Sequence, residues 1–347
     1  MIPKDRIHKT MKKAGIVLLI VVFLYAVLSV CATAVVYTAL FRNLSPEVSF
    51  AYPYDSLAEG YPRTPSEFCS GDNTLRGYFY SVKGEPLGTV LVVNGIKSGA
   101  DSHLAEICCF VDNGWQVFAY DATGVGASGG DSLVGLSQAR LDLQAAVAHV
   151  KGLSDAPIVL YGHSVGGYAS ASVMEDTTLA AAVCLSPFNS PTDIMYYTAK
   201  ERVGILADME RPFLMLQHWF VFGKEGYVTA VSGINATEAP VLICSGSHDE
   251  VIPRAASLSA GREPVTNKNA VLWEVPAGHA DAWLSASAEQ YTAALREEYA
   301  ALSEKWGGAI PPAEQAAFEQ SVDYALANEL DGAFMDEVLT FFREAVE

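Results

Sequence analysis

The chain has 347 residues, of which 40 are acidic and 22 are basic, so its formal net charge is −18. Such an acidic surface repels a phosphate backbone, and nucleic acid is therefore excluded as an expected partner. The six cysteines lack the regular spacing of a disulfide scaffold. The length suits one large α/β domain with attachments.

The first predicted element is an apolar helix close to the N-terminus. Residues 14–41 carry no charged side chain, and at about 1.5 Å per residue this helix is longer than the roughly 30 Å hydrocarbon core of a bilayer. Residues 1–13 form a basic tail with five Lys or Arg against one Asp. The positive-inside rule places that tail in the cytoplasm and the rest of the chain outside it. We therefore expect an uncleaved single-pass anchor, although Ala32-Thr33-Ala34 also fits a signal peptide that is removed.

Short apolar runs then alternate with helical patterns. A proline-containing linker at 42–64 precedes them, and 66–70 with 74–82 predict an antiparallel hairpin. The following elements favour a mostly parallel sheet with helices on both faces. They are predicted strands at 88–93, 116–120, 157–161, 179–185, 239–245 and 270–275, and a helix at 136–153.

The run Gly-His-Ser-Val-Gly at residues 162–166 lies between the strand at 157–161 and a helical pattern. A sharp turn at this kind of junction needs small flanking residues and projects the serine hydroxyl into a cleft. The first amides of the following helix and its dipole favour negative charge beside that hydroxyl. Ser164 is the predicted nucleophile.

Two later loops, each at the end of a strand, supply a candidate acid and base. A polar turn at 246–253 contains Asp249, the predicted acid, with Glu250 as the alternative. The loop after the strand at 270–275 contains His279. A serine becomes nucleophilic when a histidine takes its proton and a carboxylate fixes the imidazole tautomer. None of the seven histidines has metal-ligand spacing, so neither a metal nor a cofactor is expected.

This order of motifs resembles the α/β-hydrolase superfamily over residues 65–302, most closely its serine aminopeptidase-like and small-esterase branch. The segment Asn-Gly-Ile at 94–96 stands where members often carry His-Gly, and 121–130 is similar to their Asp-x-x-Gly-x-Gly-x-Ser loop. The resemblance implies that the backbone N–H groups of Ile96 and Val165 form an oxyanion hole. Asn94 is a departure from the family pattern.

Residues 186–240 are longer than a plain crossover and predict a helical cap, at about 189–238, over Ser164. The cap is rich in aromatic and flexible apolar side chains, which favour an apolar substrate group. The expected substrate-binding residues are Asn94, His163, Met215 and Trp219.

Residues 303–347 form an acidic helical extension that either packs on the body or binds a partner. The resemblance implies a serine hydrolase that cleaves an ester, amide or peptide through an acyl-enzyme, and the apolar N-terminal segment makes it a membrane-anchored one. Two alternatives stay open: a non-catalytic hydrolase-fold protein that binds a partner, and an acyltransferase.

Overall fold

A computed structural model describes residues 4–42, 50–176, 178–261 and 263–347. Its centre is an eight-stranded sheet with the order β1-β2-β4-β3-β5-β6-β7-β8. Strands β1 and β2 form an antiparallel hairpin, β2 also pairs antiparallel with β4, and the remaining neighbours are parallel. The strands are β1 Arg63–Ser70, β2 Asn73–Tyr80, β3 Thr89–Val93, β4 Gln116–Tyr120, β5 Ile158–His163, β6 Leu179–Leu185, β7 Val241–Gly246 and β8 Ala270–Val275.

Helices cover both faces of this sheet. They are α1 Lys4–Arg42, α2 Leu104–Asp112, α3 Gln138–Lys151, α4 Val165–Ser172, α5 Pro191–Val203, α6 Ile205–Phe222, α7 Ala230–Asn235, α8 Ala286–Lys305, α9 Pro312–Ser321, α10 Tyr324–Ala327 and α11 Gly332–Val346. Successive strand residues point to opposite faces, so the core has two halves. Leu91 and Phe118 pack with α3 and α4, whereas Val92 and Val117 pack with α2 and α11.

The C-terminal extension belongs to this core. Val338 and Phe342 of α11 are fully buried in the half that contains Val92. Asn328 donates a hydrogen bond to the carbonyl oxygen of Phe50, which ties the extension to the segment before β1. Of the two options that the sequence left open, the structure shows packing on the body. The predicted domain boundary at 302 therefore divides one packed unit.

Helix α1 is continuous from Lys4, within the predicted basic tail, through the apolar segment. Its stretch Met11–Arg42 has a mean hydropathy of 2.9 and could cross a membrane by length and composition, properties that a signal sequence shares. The far end of α1 packs on the protein body, because Tyr37 and Phe41 are buried in the core half that contains Leu91. Of the predicted linker, residues 43–49 lie outside the described residues, and Arg63 already belongs to β1.

Helices α5 and α6 take the place of the predicted cap. They form a hairpin, residues 191–222, that turns at Gly204 with φ of 57°. Helix α6 packs against α1: the hydroxyl of Tyr37 lies 2.9 Å from Nδ1 of His218. This long-range contact draws the hairpin toward the N-terminal helix.

Candidate active site

Three side chains from different strand ends form a chain of hydrogen bonds at the carboxyl edge of the sheet. Nε2 of His279 lies 2.9 Å from Oγ of Ser164. Nδ1 of the same ring lies 2.8 Å from Oδ2 of Asp249. Glu250, the alternative acid, has an exposed side chain in the same turn. The structure thus brings together the predicted nucleophile, base and first-choice acid.

The backbone around Ser164 holds the serine in a strained position. Ser164 has φ of 58° and ψ of −116°, and it immediately precedes α4. Such a conformation is costly for a residue with a side chain and persists only where its surroundings enforce it. A Cβ atom on Gly166 would collide with the carbonyl oxygens of Val93 and Asn94. The small residues of the Gly-His-Ser-Val-Gly run are therefore required by close approach of the backbone.

The environment of Asp249 keeps its carboxylate charged. Its partial burial alone would raise the pKa, but hydrogen bonds from His279 and from the backbone N–H groups of Val251 and Ile252 outweigh this effect and lower the pKa below its usual value. Both amide nitrogens lie 2.9 Å from Oδ1, which leaves Oδ2 to bind the imidazole.

Two further residues hold the loop that carries His279. Ser186 donates its hydroxyl to the backbone carbonyl oxygen of His279 at 2.9 Å, and Nε2 of His163 lies 3.0 Å from the same oxygen. The ring of His163 packs edge-on against Trp283, with centroids 4.9 Å apart. Sequence reasoning missed Ser186. The only sequence feature that could have pointed to Ser186 is its position just after β6, the strand that pairs with β5.

His163 is suited to this position as a neutral donor. Burial lowers its pKa well below the usual value, and the nearby rings of His279 and His103 lower it further. A neutral imidazole that faces a carbonyl oxygen through Nε2 carries its proton on that nitrogen. The residue that we expected to bind substrate is thus also a structural support for the base.

The low pKa of His163 predicts a pH-dependent stability. As the pH falls, the unfolded chain binds a proton at this residue near pH 6.5, whereas the folded chain binds it only at a lower pH. The folded state therefore becomes less stable relative to the unfolded state as the pH falls below about 6.5. Glutamine at this position keeps an N–H donor but does not titrate. A decrease from about pH 7.5 to about pH 5.5 should lower the midpoint of thermal unfolding more for wild type than for His163→Gln. Equal decreases would contradict a neutral buried His163.

A cavity of about 550 Å³ opens beside His279. His163, Trp283 and Glu250 line one part of it, and residues of α10 and the loop after it line another. Lys97 and Arg296 also reach this space, and Arg296 pairs with Asp281 at 3.1 Å. The cavity is therefore mixed in polarity and is formed in part by the C-terminal extension.

A second, mostly apolar cavity of about 20 Å³ borders Val165, the residue after Ser164. Ile96 and Val165, the two expected oxyanion-hole residues, line it together with Tyr120 and Leu133. Val165 is the first residue of α4, so its N–H has no acceptor within the helix. A Cβ atom placed on Gly95 would lie 3.8 Å from Cβ of Ser164, which puts the segment before Ile96 directly against the nucleophile.

Of the remaining expected substrate contacts, one lines the apolar cavity and two line neither cavity. Asn94 is buried: its amide nitrogen donates to the carbonyl oxygen of Tyr120, and its side chain lines the apolar cavity. Met215 and Trp219 are 36% and 51% exposed on α6, and neither lines the cavity at His279 or the apolar cavity. In this arrangement α6 packs against α1, and contact of Met215 and Trp219 with substrate stays a prediction.

Comparison with known proteins gives a consistent result. The family model described as serine aminopeptidase, S33 matches residues 84–214. The uncharacterized protein Rv2307c of Mycobacterium tuberculosis is 28% identical over 195 residues, which cover 54% of this chain and 62% of that protein. YqkD of Bacillus subtilis, also uncharacterized, is 25% identical over 190 residues, covering 52% and 60%. The chain therefore spans about three fifths of the length of these curated relatives.

Solved structures show a similar fold. The esterase Pf2001 of Pyrococcus furiosus has a TM-score of 0.53 and 19% identity, covering 76% of this chain and 97% of that one. An α/β hydrolase of Vibrio vulnificus has a TM-score of 0.50 and 18% identity, covering 65% and 78%.

A strained serine between a parallel strand and a helix, at the carboxyl edge of a sheet covered on both faces, defines the class of α/β hydrolases. The fold is that of the α/β hydrolases, and the family match supports membership of that superfamily and a hydrolase function.

Proposed function

We propose that this protein is a membrane-anchored serine hydrolase that cleaves carboxylic esters through an acyl-enzyme. The observation that carries the proposal is the hydrogen-bonded series Ser164–His279–Asp249, in which each residue comes from a separate strand-end loop. Ser164 is only 8% exposed, so its hydroxyl is reached through a cleft rather than from open solvent. This is the arrangement that nucleophilic catalysis by serine requires.

The mechanism follows from these contacts. His279 removes the proton of the Ser164 hydroxyl through Nε2 as Oγ attacks the substrate carbonyl carbon, and Asp249 stabilises the resulting imidazolium. The N–H groups of Ile96 and Val165 bind the oxyanion of the tetrahedral intermediate. The C–O bond to the leaving alcohol breaks as that oxygen takes the proton from Nε2. A water molecule then gives a proton to Nε2 of His279 as it attacks the acyl carbon. The bond between that carbon and Oγ of Ser164 breaks, Oγ takes the proton back from Nε2, and the acid is released.

The two cavities suggest how a substrate lies across Ser164. The apolar cavity, at about 20 Å³, is little larger than the roughly 10–15 Å³ that one water molecule needs by the same measure. It suits a short acyl group, and the larger mixed cavity suits the leaving alcohol.

A panel of p-nitrophenyl esters tests this proposal on the full-length protein in detergent. We expect kcat/KM for the acetate to exceed that for the octanoate by about tenfold or more, because overfilling a closed apolar site costs about 1–3 kcal/mol. Leu133→Ala, which enlarges the apolar cavity, should shift the preference toward longer chains. Leu272→Ala, on an exposed position of β8, should not.

An aminoacyl p-nitroanilide completes the panel. Turnover of that amide without turnover of any ester would replace the proposed esterase by a peptidase. Transfer of the acyl group to an added alcohol in preference to water would identify an acyltransferase. No turnover of any member would contradict a hydrolase and favour the binding protein. The extension that motivated that alternative is packed into the core.

The anchor part of the proposal depends on contacts upstream of the possible cleavage site Ala32-Thr33-Ala34. Ser29 is 3% exposed and donates its hydroxyl to Glu210 of α6 at 3.0 Å. Tyr25 donates to the same carboxylate oxygen at 3.0 Å. Cleavage at that site would remove both donors and leave Glu210 without them. These contacts support a retained helix, with its basic N-terminus in the cytoplasm and the hydrolase domain outside.

A further inference from the structure

Helix α6 exposes an apolar stripe to its surroundings. We define the α6 stripe as Ile205, Met209, Leu216, Trp219 and Phe220, which are between 39% and 74% exposed. Their spacing of three, four and seven residues places them on one face of a helix. Ala207 and His218, on another face of the same helix, are buried. A contiguous apolar surface of this kind is rare on a soluble monomer unless it has a partner.

The helix beside the stripe is α1. Tyr25 and Ser29 both bond to Glu210, and the ring of Tyr25 packs edge-on against Phe213 with centroids 5.7 Å apart. Farther along, Tyr37 contacts His218. The two helices therefore run side by side in the same direction, and both expose apolar side chains. The exposed residues of α1 include Phe23, Leu24, Leu28, Val35 and Val36.

The length of α1 fixes where this contact lies relative to a bilayer. A hydrocarbon core of about 30 Å takes up about 20 helical residues at about 1.5 Å each. Any stretch of about that length within Met11–Arg42 includes both Tyr25 and Ser29. If α1 spans the membrane, the side chain of Glu210 and the N-terminal half of α6 must lie at the depth of the lipid.

Five of the seven charged side chains of the hairpin have partners within the protein, whereas Glu201 and Arg202, beside the turn at Gly204, are exposed. Asp208 pairs with Lys200 at 2.7 Å, and Arg211 pairs with Asp193 at 3.2 Å. Both pairs join α6 to α5 and flank the α6 stripe. Glu210 receives the two hydroxyl groups of α1. Polar groups at membrane depth are tolerated when they bond to one another in this way.

We propose that the α5–α6 hairpin is a second membrane element, whose α6 stripe lies in the outer leaflet beside α1. The inference rests on the proposed anchoring by α1. The occupant is lipid rather than a second copy, because the lipid that surrounds α1 at the level of Tyr25 necessarily surrounds the helix packed on it. The hydrolase domain is then held against the membrane by two helices.

Fluorescence quenching in vesicles tests this inference. The full-length protein is reconstituted in phosphatidylcholine vesicles with either plain or brominated acyl chains. Met209→Trp adds a fluorophore to the stripe, and subtraction of the wild-type emission isolates its signal. We expect brominated lipid to reduce that signal by about twofold or more, as for a side chain in the acyl-chain region. Leu153→Trp is the matched control, since Leu153 is 63% exposed at the far end of α3, and its signal should not change.

Ile205→Trp gives a second probe of the stripe should Met209→Trp fail to fold. Flotation with vesicles reports the anchor independently of the stripe. Protein that floats while both added tryptophans stay unquenched would overturn the inference and leave the anchor intact. Tryptophans shielded from aqueous acrylamide but not quenched by brominated lipid would show that protein covers the stripe, which also overturns it. Protein that does not float would refute the anchor and the inference together.

Discussion

Ser164→Ala is expected to reduce kcat for p-nitrophenyl acetate by a factor on the order of 10⁴ to 10⁶, because removal of a serine nucleophile leaves only the contribution of binding and of the oxyanion hole. The folded structure should be retained. Alanine keeps the Cβ atom that the strained turn already accommodates, and the main interaction lost is the hydrogen bond to His279. Steady-state kinetics and labelling by a fluorophosphonate probe, both on the purified full-length protein, measure the effect.

Ser170→Ala provides a matched control on the helix that follows the nucleophile. Ser170 is fully buried on α4, and its hydroxyl has no hydrogen-bond partner among the described residues. Its removal leaves no group unsatisfied, so activity within about twofold of wild type is expected. Equal probe labelling of wild type and Ser164→Ala would place the nucleophile elsewhere in the chain.

The strands and the contacts among the three candidate side chains could be predicted because their signals are local. The predicted bounds 116–120, 179–185 and 270–275 coincide with β4, β6 and β8. Interior strands of a parallel sheet are buried on both faces and are continuous apolar runs in sequence. Since the carboxyl ends of parallel strands meet at one edge, the order of the loops after β5, β7 and β8 was enough to bring Ser164, Asp249 and His279 together.

Side-chain contacts between distant segments could not be predicted. The apolar composition of α6 indicated a buried or substrate-facing helix, but nothing in it indicated that Glu210 would meet Tyr25, which is 185 residues away. The same limit applies to Ser186, whose bond to the carbonyl oxygen of His279 spans 93 residues. An amphipathic pattern shows that a face needs a partner. It does not show whether that partner is a sheet, another helix or lipid.

The turn after β7 contains two neighbouring carboxylates, and substitution of each one in turn distinguishes their roles. Asp249→Asn is expected to lower kcat by about 10⁴-fold, because an amide at this position stabilises the wrong imidazole tautomer and cannot stabilise the imidazolium. Glu250→Gln, the matched control one residue away, should retain activity within about threefold, since an exposed carboxylate that only borders the cavity contributes little to the reaction.

The pH dependence of the Asp249→Asn deficit adds a second test of the same assignment. The hydrogen bonds that lower the pKa of Asp249 keep it ionised from neutral pH down to its usual value of 3.8. The ratio of wild-type to Asp249→Asn activity should therefore stay constant between about pH 8 and pH 9.5, where an ordinary imidazole is neutral in both proteins. A ratio that fell steeply with acidification in this range would mean that the carboxylate titrates there. Loss of activity in Glu250→Gln alone would transfer the role of the acid to Glu250, and the contact between Asp249 and the imidazole would then be structural.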